Sequence, residues 1–300
     1  MLYLSLNIVA KTLFGVDLTE EIARKIEWTI ETLMDRFAGL GMILPIGLPL
    51  PQNFRVKKAL KTLDTIIYEI IRERRKSGDR GDLISMLIAA TGEEGGMTDT
   101  QLRDEAITLL IAGHETTALA LGFTFDLLGR HPEITERLER EIATVLGERA
   151  PTAADLPRLK YADAIVRESM RLYPPVWVIG REAIAPCRIG GYDIEPGTQL
   201  LASQWIVHRD PRWFSGPEFF RPERWENDFA KTLPRQAYFP YGGGPRICIG
   251  NAFAQMEVVL VLVTIAQRVR LTPTIARVDL TPSAMLLPKH GLPMIVTTRS

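Results

Sequence analysis

The stretch Phe239-Pro240-Tyr241-Gly242-Gly243-Gly244-Pro245-Arg246-Ile247-Cys248-Ile249-Gly250 decides how the rest of the chain is read. Three consecutive glycines and a proline precede a lone cysteine, which stands just before a segment with helical apolar periodicity, about 249 to 267. Glycines adopt positive φ and let the backbone approach a flat ligand closely. A helix N-terminus presents unpaired N–H groups and a positive potential, and both stabilise a thiolate. A thiolate held in this way can ligate iron and push electron density toward it, which favours O–O cleavage. Taken alone, a cysteine before a helix is more often an inert buried thiol. A phosphate loop is a second alternative, although no Lys-Ser/Thr follows the glycines.

Outward from this segment, the composition is that of an ordinary globular chain. It has 300 residues, 46% of them hydrophobic, and 36 basic residues balance 36 acidic ones. Nothing in that balance points to nucleic acid or an anionic membrane surface. Two cysteines, Cys187 and Cys248, are too few for a disulfide framework and suit a reducing, cytoplasmic compartment. The apolar start, Met1 to Ala10, lacks the basic residues of a signal peptide and reads as a buried helix. No uninterrupted apolar run approaches the roughly 20 residues that span a bilayer.

The first half reads as helix, over residues 19 to 40 and 54 to 76, with the apolar, breaker-rich loop Gly41 to Pro51 between them. That loop could serve as a lid or a membrane-dipping segment, but a loop packed on its own domain is the favoured reading. Arg72, Arg74, Arg75 and Lys76 read as a solvated last helical turn. Thr98-Asp99-Thr100-Gln101 has the form of a capping box, and the pattern stays helical to Gly129 before Pro132 opens the next helix. About 31 residues at roughly 1.5 Å each give some 46 Å, enough to cross a domain. Helices are expected at about 132 to 146 and 158 to 172. Short β-branched runs from 176 to 203 suggest a small antiparallel sheet, and 209 to 246 is a long aperiodic coil of the kind that is usually functional. A short β region ends the chain.

Three further features stand out. Ala112-Gly113-His114-Glu115-Thr116-Thr117 is a polar island inside the long apolar helix, where a glycine costs roughly 1 kcal/mol and buried polar groups need partners. Glu168-Ser169-Met170-Arg171 places Glu and Arg on one helix face. Pro222-Glu223-Arg224 lies in the coil. A satisfied core His or Thr, and an exposed ion pair worth little, are the plain readings of the first two.

With these motifs in this order, the sequence resembles the cytochrome P-450 family. Tyr241, Gly242, Gly244, Arg246, Cys248 and Gly250 fit its haem-binding signature, with Tyr where Phe is usual. Tyr can pack on the same face, but its hydroxyl needs a partner. The resemblance implies a mainly α fold with a small β region, over 1 to 300 as a single domain. It implies heme b (iron protoporphyrin IX) with Cys248 as its axial ligand. Arg181 and Arg246 would pair with the propionates, and Ala112, Gly113, Tyr241, Gly242 and Gly250 would lie about the ring. By the same resemblance Thr116 and Glu115 manage proton delivery during oxygen activation, while Glu168, Arg171 and Arg224 form a buried cluster that places the cysteine loop. Val176 to Ile179 and Met285 to Leu287 correspond to pocket-lining stretches, and core packing is an equal alternative for both.

The implied activity is insertion of one atom of O₂ into a small apolar substrate, with electrons from a separate ferredoxin, flavodoxin or reductase, since no Gly-x-Gly-x-x-Gly follows a strand. Family members that use peroxide or rearrange an oxygenated substrate commonly lack the threonine that Thr116 supplies. A haem-binding, non-catalytic remnant is the other alternative. It arises because Met1 to Phe14 looks like a mid-chain helix, with the family's N-terminal strands, early loop and a propionate-binding helix not represented. Cys187 reads as structural, and His131, His208 and His290 stand singly.

Overall fold

The structure is a computed structural model that describes residues 1–36, 45–91 and 96–299. The chain forms two compact units, residues 1–118 and 119–300. Helices dominate both, and the short strands all lie in the second.

The first unit contains α1 (Leu2–Phe14), α2 (Glu20–Arg36), α3 (Pro51–Ser77), α4 (Leu83–Ala89) and the first part of α5 (Asp99–Arg130). Apolar residues at three- and four-residue spacing bring Leu6, Val9, Ile26, Ile30, Leu63, Ile67, Ile84, Leu102 and Leu110 into one buried cluster. The capping box forms at α5 as the sequence predicts. The Thr98 N–H donates to Gln101 Oε1 at 2.8 Å, and the Gln101 N–H donates to Thr98 Oγ1 at 3.2 Å.

The basic run at the end of α3 is not simply solvated. Arg74 is buried, pairs with Asp82 at 2.7 Å and donates to the Phe14 carbonyl, while Arg75 pairs with Asp99. Helix periodicity points every third or fourth residue of the run inward, and a buried guanidinium persists only where it is paired. In the loop before α3, residues 41–44 lie outside the described residues. The buried Asn53 side chain donates to the carbonyls of Pro45 and Leu48, while Ile46 and Leu48 remain exposed.

The second unit takes up the end of α5, then α6 (Pro132–Leu146), α7 (Lys160–Leu172), four short strands, the coil, α10 (Asn251–Ala266) and a C-terminal β region. The four strands are β1 (Ile179–Glu182), β2 (Cys187–Ile189), β3 (Tyr192–Ile194) and β4 (Gln199–Ala202). β1 pairs with β4 and β2 with β3, all antiparallel. Two short helices flank the coil's irregular stretches, α8 (Gln204–Val207) and α9 (Phe229–Thr232). Beyond α10, β5 (Val269–Pro273) pairs with β8 (Met294–Thr298) and β6 (Leu280–Pro282) with β7 (Leu286–Pro288).

The core of this unit gathers Leu121, Phe125 and Leu128 of α5, Leu138 and Ile142 of α6, Ile165 and Val166 of α7, and Val258, Leu262 and Val263 of α10. By length and composition α5 is apolar enough to cross a membrane, because its few charges interrupt runs without lowering the average. Half of that apolar window is buried inside the protein, as in a core helix. The aperiodic coil holds a small core of its own. Phe214 and Trp225 pack on Ala164 of α7, with Phe229 and Tyr238 around them. Aromatic burial thus gives this irregular stretch a packed core.

Candidate active site

The cysteine loop is built from its own main chain. The Gly242 N–H donates to the Phe239 carbonyl at 2.9 Å, and the Cys248 N–H donates to the Tyr241 carbonyl at 3.0 Å. Gly242 and Gly244 sit at φ 74 and 70, conformations that other residues adopt only with strain. A Cβ built on Gly243 or Gly244 meets nothing within 4 Å, so the turn presents open backbone. The Cys248 thiol is free and exposed, and Gly250 caps α10 just beyond it. Ile249 is 92% exposed, an apolar side chain set beside the thiol. Arg246, in the loop, and Arg181, on β1, are exposed and have no carboxylate partner among the described residues. Arg181 donates only to the adjacent Gly180 carbonyl.

Tyr241 faces inward from this loop and packs against the core. Burial, and then the neighbouring Cys248, push its hydroxyl pKa up, so it stays protonated and donates to Gln255 Oε1 at 3.0 Å. Gln255 donates in turn to Asp163 on α7 at 2.6 Å. The hydroxyl that distinguishes this residue from Phe therefore has its partner.

Behind the loop, Glu168 and Arg171 are fully buried and joined by two parallel bonds of 2.9 Å. Arg171 also donates to the carbonyls of His208, Pro217 and Phe219, at 2.9, 2.6 and 3.1 Å. Arg224 lies 3.3 Å from Glu168. The structure thus brings all three residues together, and it adds two that the sequence motifs did not mark. The Trp225 indole and the Arg221 main-chain N–H both donate to the Glu168 carboxylate, at 2.8 and 3.0 Å. A carboxylate accepting this many bonds compensates the desolvation that burial imposes. Three coil segments are thereby anchored to α7.

The polar island belongs to the first unit, and α5 runs through it as uninterrupted helix. Thr116 Oγ1 donates back to the Ala112 carbonyl at 2.7 Å, which leaves its oxygen lone pairs available. Glu115 is half-buried with Oε2 unbonded among the described residues, and burial raises its pKa. Ala112 is exposed. His114 is a core histidine whose Nε2 lies 3.1 Å from the Leu2 carbonyl, and burial pushes its pKa down to about 4. A Cβ on Gly113 would approach Val9 to 3.0 Å, so this glycine also admits α1, a packing reason the sequence pattern did not contain.

The two stretches read as alternatives between pocket and core adjoin one another. The Trp177 indole donates to the Ser283 carbonyl at 2.9 Å, and the Leu286 N–H donates to the Pro175 carbonyl at 2.9 Å.

A family model described as Cytochrome P450 matches residues 1–294. The chain belongs to the cytochrome P450 family. This P450 chain is 41% identical over 277 residues to a cyclooctat-9-en-7-ol 5-monooxygenase of Streptomyces melanosporofaciens, covering 90% of this chain and 60% of that relative. It is 38% identical over 276 residues to a pentalenene oxygenase of Streptomyces avermitilis, covering 90% and 61%. A crystal structure of a P450 haem domain superposes with a TM-score of 0.87 at 28% identity, over 100% of this chain and 67% of the other. The chain therefore spans about 60% of the length of the curated relatives it matches.

Membership implies a haem, and the residues present fit one. The donor set is a single free thiol beside an exposed apolar side chain, a glycine turn open on one side, and two guanidinium groups without carboxylate partners among the described residues. Soft sulfur, apolar contact and cations match the iron, ring and carboxylates of such a group.

One buried group was not marked by any motif. Glu257, on α10, is 5% exposed, and neither carboxylate oxygen has a hydrogen-bond partner among the described residues. Burial pushes its pKa up to about 7. A raised folded-state pKa on an acid means that ionisation works against the fold. The penalty is absent below the unfolded value near 4.5, grows as pH rises, and levels off above about 7. Glu257→Gln is therefore expected to stabilise the protein by about 3 kcal/mol at pH 8 and by less than about 0.5 kcal/mol at pH 4.5. Unfolding curves of both proteins at the two pH values check this, and equal differences at both would show the carboxyl to be solvated.

Proposed function

We propose that this chain is the haem-thiolate part of a monooxygenase that inserts one atom of O₂ into an apolar organic substrate, with electrons from a separate redox protein. The reading rests on one observation above the rest. A free, exposed Cys248 thiol stands at the mouth of a glycine turn whose flanking coil is anchored by a buried Glu168–Arg171–Arg224 cluster. One family model runs through both compact units, which supports treating residues 1–300 as a single functional domain.

Heme b, when bound, supplies the dioxygen chemistry that no side chain here provides. Cys248 would hold its iron through sulfur, and the turn of Gly242 to Gly244 would leave its backbone open to the ring edge. Arg181 and Arg246 would take the propionates by charge-assisted hydrogen bonds. By the family resemblance, Ala112 and Gly113 would contact the ring. Thr116, with lone pairs free, would accept a hydrogen bond from water. Glu115 retains a proton to higher pH than an ordinary carboxyl and would replenish it. The residues from Val176 to Ile179 and from Met285 to Leu287 would line the substrate side. The names of the two relatives, a cyclooctatenol monooxygenase and a pentalenene oxygenase, support a cyclic, mostly hydrocarbon skeleton as the substrate class.

The test is the carbon monoxide difference spectrum of the reduced, haem-loaded protein. A red-shifted Soret band of the thiolate type is expected, and failure to take up haem at all would remove the reading for this chain. Thr116→Ala tests the proton assignment. It should lower product formed per electron consumed by on the order of 100-fold while electron consumption continues. Unchanged coupling would show that Thr116 carries no proton.

A further inference from the structure

His208 follows α8 at the start of the coil and is fully buried. Its two ends face in different directions. Its main-chain carbonyl accepts from Arg171 Nη1 at 2.9 Å, which ties it to the buried ion cluster. Its imidazole Nε2 accepts the Phe239 N–H at 2.9 Å, and Phe239 opens the cysteine loop. From Phe239 the bonds continue along the main chain. The Phe239 carbonyl accepts from Gly242, and the carbonyl of Tyr241 accepts from Cys248. A continuous run of hydrogen bonds thus leads from Glu168 through Arg171, His208 and Phe239 into the turn that presents the thiol.

We propose that His208 is a positioning residue for Cys248: its Nε2 pins the upstream end of the cysteine loop to the Glu168–Arg171 cluster.

Three features make the imidazole suited to this. An accepting Nε2 requires the proton on Nδ1, and the carbonyls of Met170 and Arg171 lie beside the ring, although neither makes a well-aligned bond to Nδ1. Burial first, then the charges of Arg171 and Arg209, push the pKa down to about 3, so the ring stays neutral and keeps its acceptor across physiological pH. The rings of Tyr238 and Phe239 pack on it at 5.1 and 5.2 Å and fix its orientation. Apart from Arg171 and Arg209, no charged group among the described residues acts on it.

The Phe239 N–H is the group that depends on this bond. With an apolar residue at 208 this part-buried N–H would lose its acceptor, and a donor in that condition shifts the local equilibrium roughly fivefold toward opening. Glutamine can place an amide oxygen where Nε2 stands, whereas phenylalanine fills the space and offers no acceptor.

The inference rests on Cys248 being the thiolate ligand, and the test separates the two. His208→Phe and His208→Gln are compared with the parent protein by the reduced carbon monoxide spectrum and by amide hydrogen exchange at Phe239. His208→Phe should lower the thiolate-type fraction of the haem-bound protein at least roughly fivefold and speed Phe239 exchange by a similar factor, and His208→Gln should restore most of both. A purely space-filling role would leave Phe equal to or better than Gln, and that result would overturn the proposal. Should His208→Phe fail to fold, Gln is set against the equally uncharged His208→Met, with Phe239 exchange as the readout. Cys248→Ser serves as the reference. If it keeps the thiolate band, the ligand assignment falls. If it loses the band while His208→Phe keeps it in full, only the role of His208 falls.

Discussion

Cys248→Ser is expected to abolish the thiolate-type Soret band of the reduced carbon monoxide complex and to reduce oxygenation to background, while Cys187→Ser leaves both unchanged. The oxygen of serine fits where sulfur stood, but at neutral pH it is a neutral hydroxyl and a poor match for the soft, electron-donating ligand that the iron requires. The loop itself should survive. The bonds that shape it, from the Cys248 N–H to Tyr241 and from Asn251 to the Cys248 carbonyl at 2.6 Å, are made by the main chain of residue 248 and not by its sulfur. Its side chain is exposed, so the exchange should change stability by no more than about 0.5 kcal/mol. Cys187 lies exposed on β2, in a hairpin that contains none of the candidate site residues, and serves as the control. A thiolate band that persists in Cys248→Ser and disappears in Cys187→Ser would reverse the assignment.

The second large effect is expected at the buried cluster. Arg171→Met keeps the length and most of the volume of the side chain and removes all five donors. It leaves Glu168 with Arg224, the Trp225 indole and the Arg221 N–H, and it strips the donor from three carbonyls at once. Removing one partner of a fully desolvated pair costs about 3–5 kcal/mol. In a unit of this size that lowers the unfolding temperature on the order of 10 °C. Arg171→Lys should recover little of it, because an ammonium cannot serve both carboxylate oxygens and three separate carbonyls from one position. Combining Arg171→Met with Glu168→Leu should cost less than the two single changes added together, since both break the same buried pair. Additive losses in a thermal unfolding series would show that the two side chains act independently.

Much of the fold follows from local chemistry. The helix at 132 to 146 appears in the structure with those bounds, because Pro132 sets its start and apolar spacing its length. The long helix begins at its capping box and ends at Arg130, one residue beyond the predicted stop at Gly129. The β2–β3 hairpin turns at Gly190-Gly191, and Pro196-Gly197 ends β3 before the chain enters β4. The misses share a cause. The seven-residue α4 carries too few turns for periodicity to register, and its start depends on Asp82 accepting the Ser85 N–H. The burial of Arg74 cannot be read from a basic run, because only the approach of Phe14 and Asp82 makes a buried guanidinium affordable.

The same division holds at the site. Gly242, Gly244, the prolines and Cys248 are legible because each is demanded locally, by positive φ, by a turn or by a soft ligand, while Arg246 is legible only through the family resemblance. The sequence by itself therefore determined the family, the helical character and the identity of Cys248 as the residue of interest. Tertiary structure decided which distant residues serve it. Trp225 and Arg221 joined Glu168, Gln255 met the hydroxyl of Tyr241, His208 met Phe239, and Glu257 was left buried without a partner among the described residues. None of these has a signature of its own, because an isolated His, Gln or Glu reads the same in core and on surface. What distinguishes them is desolvation, which multiplies the worth of every hydrogen bond made and the cost of every one missed, and desolvation exists only once the chain has closed around them.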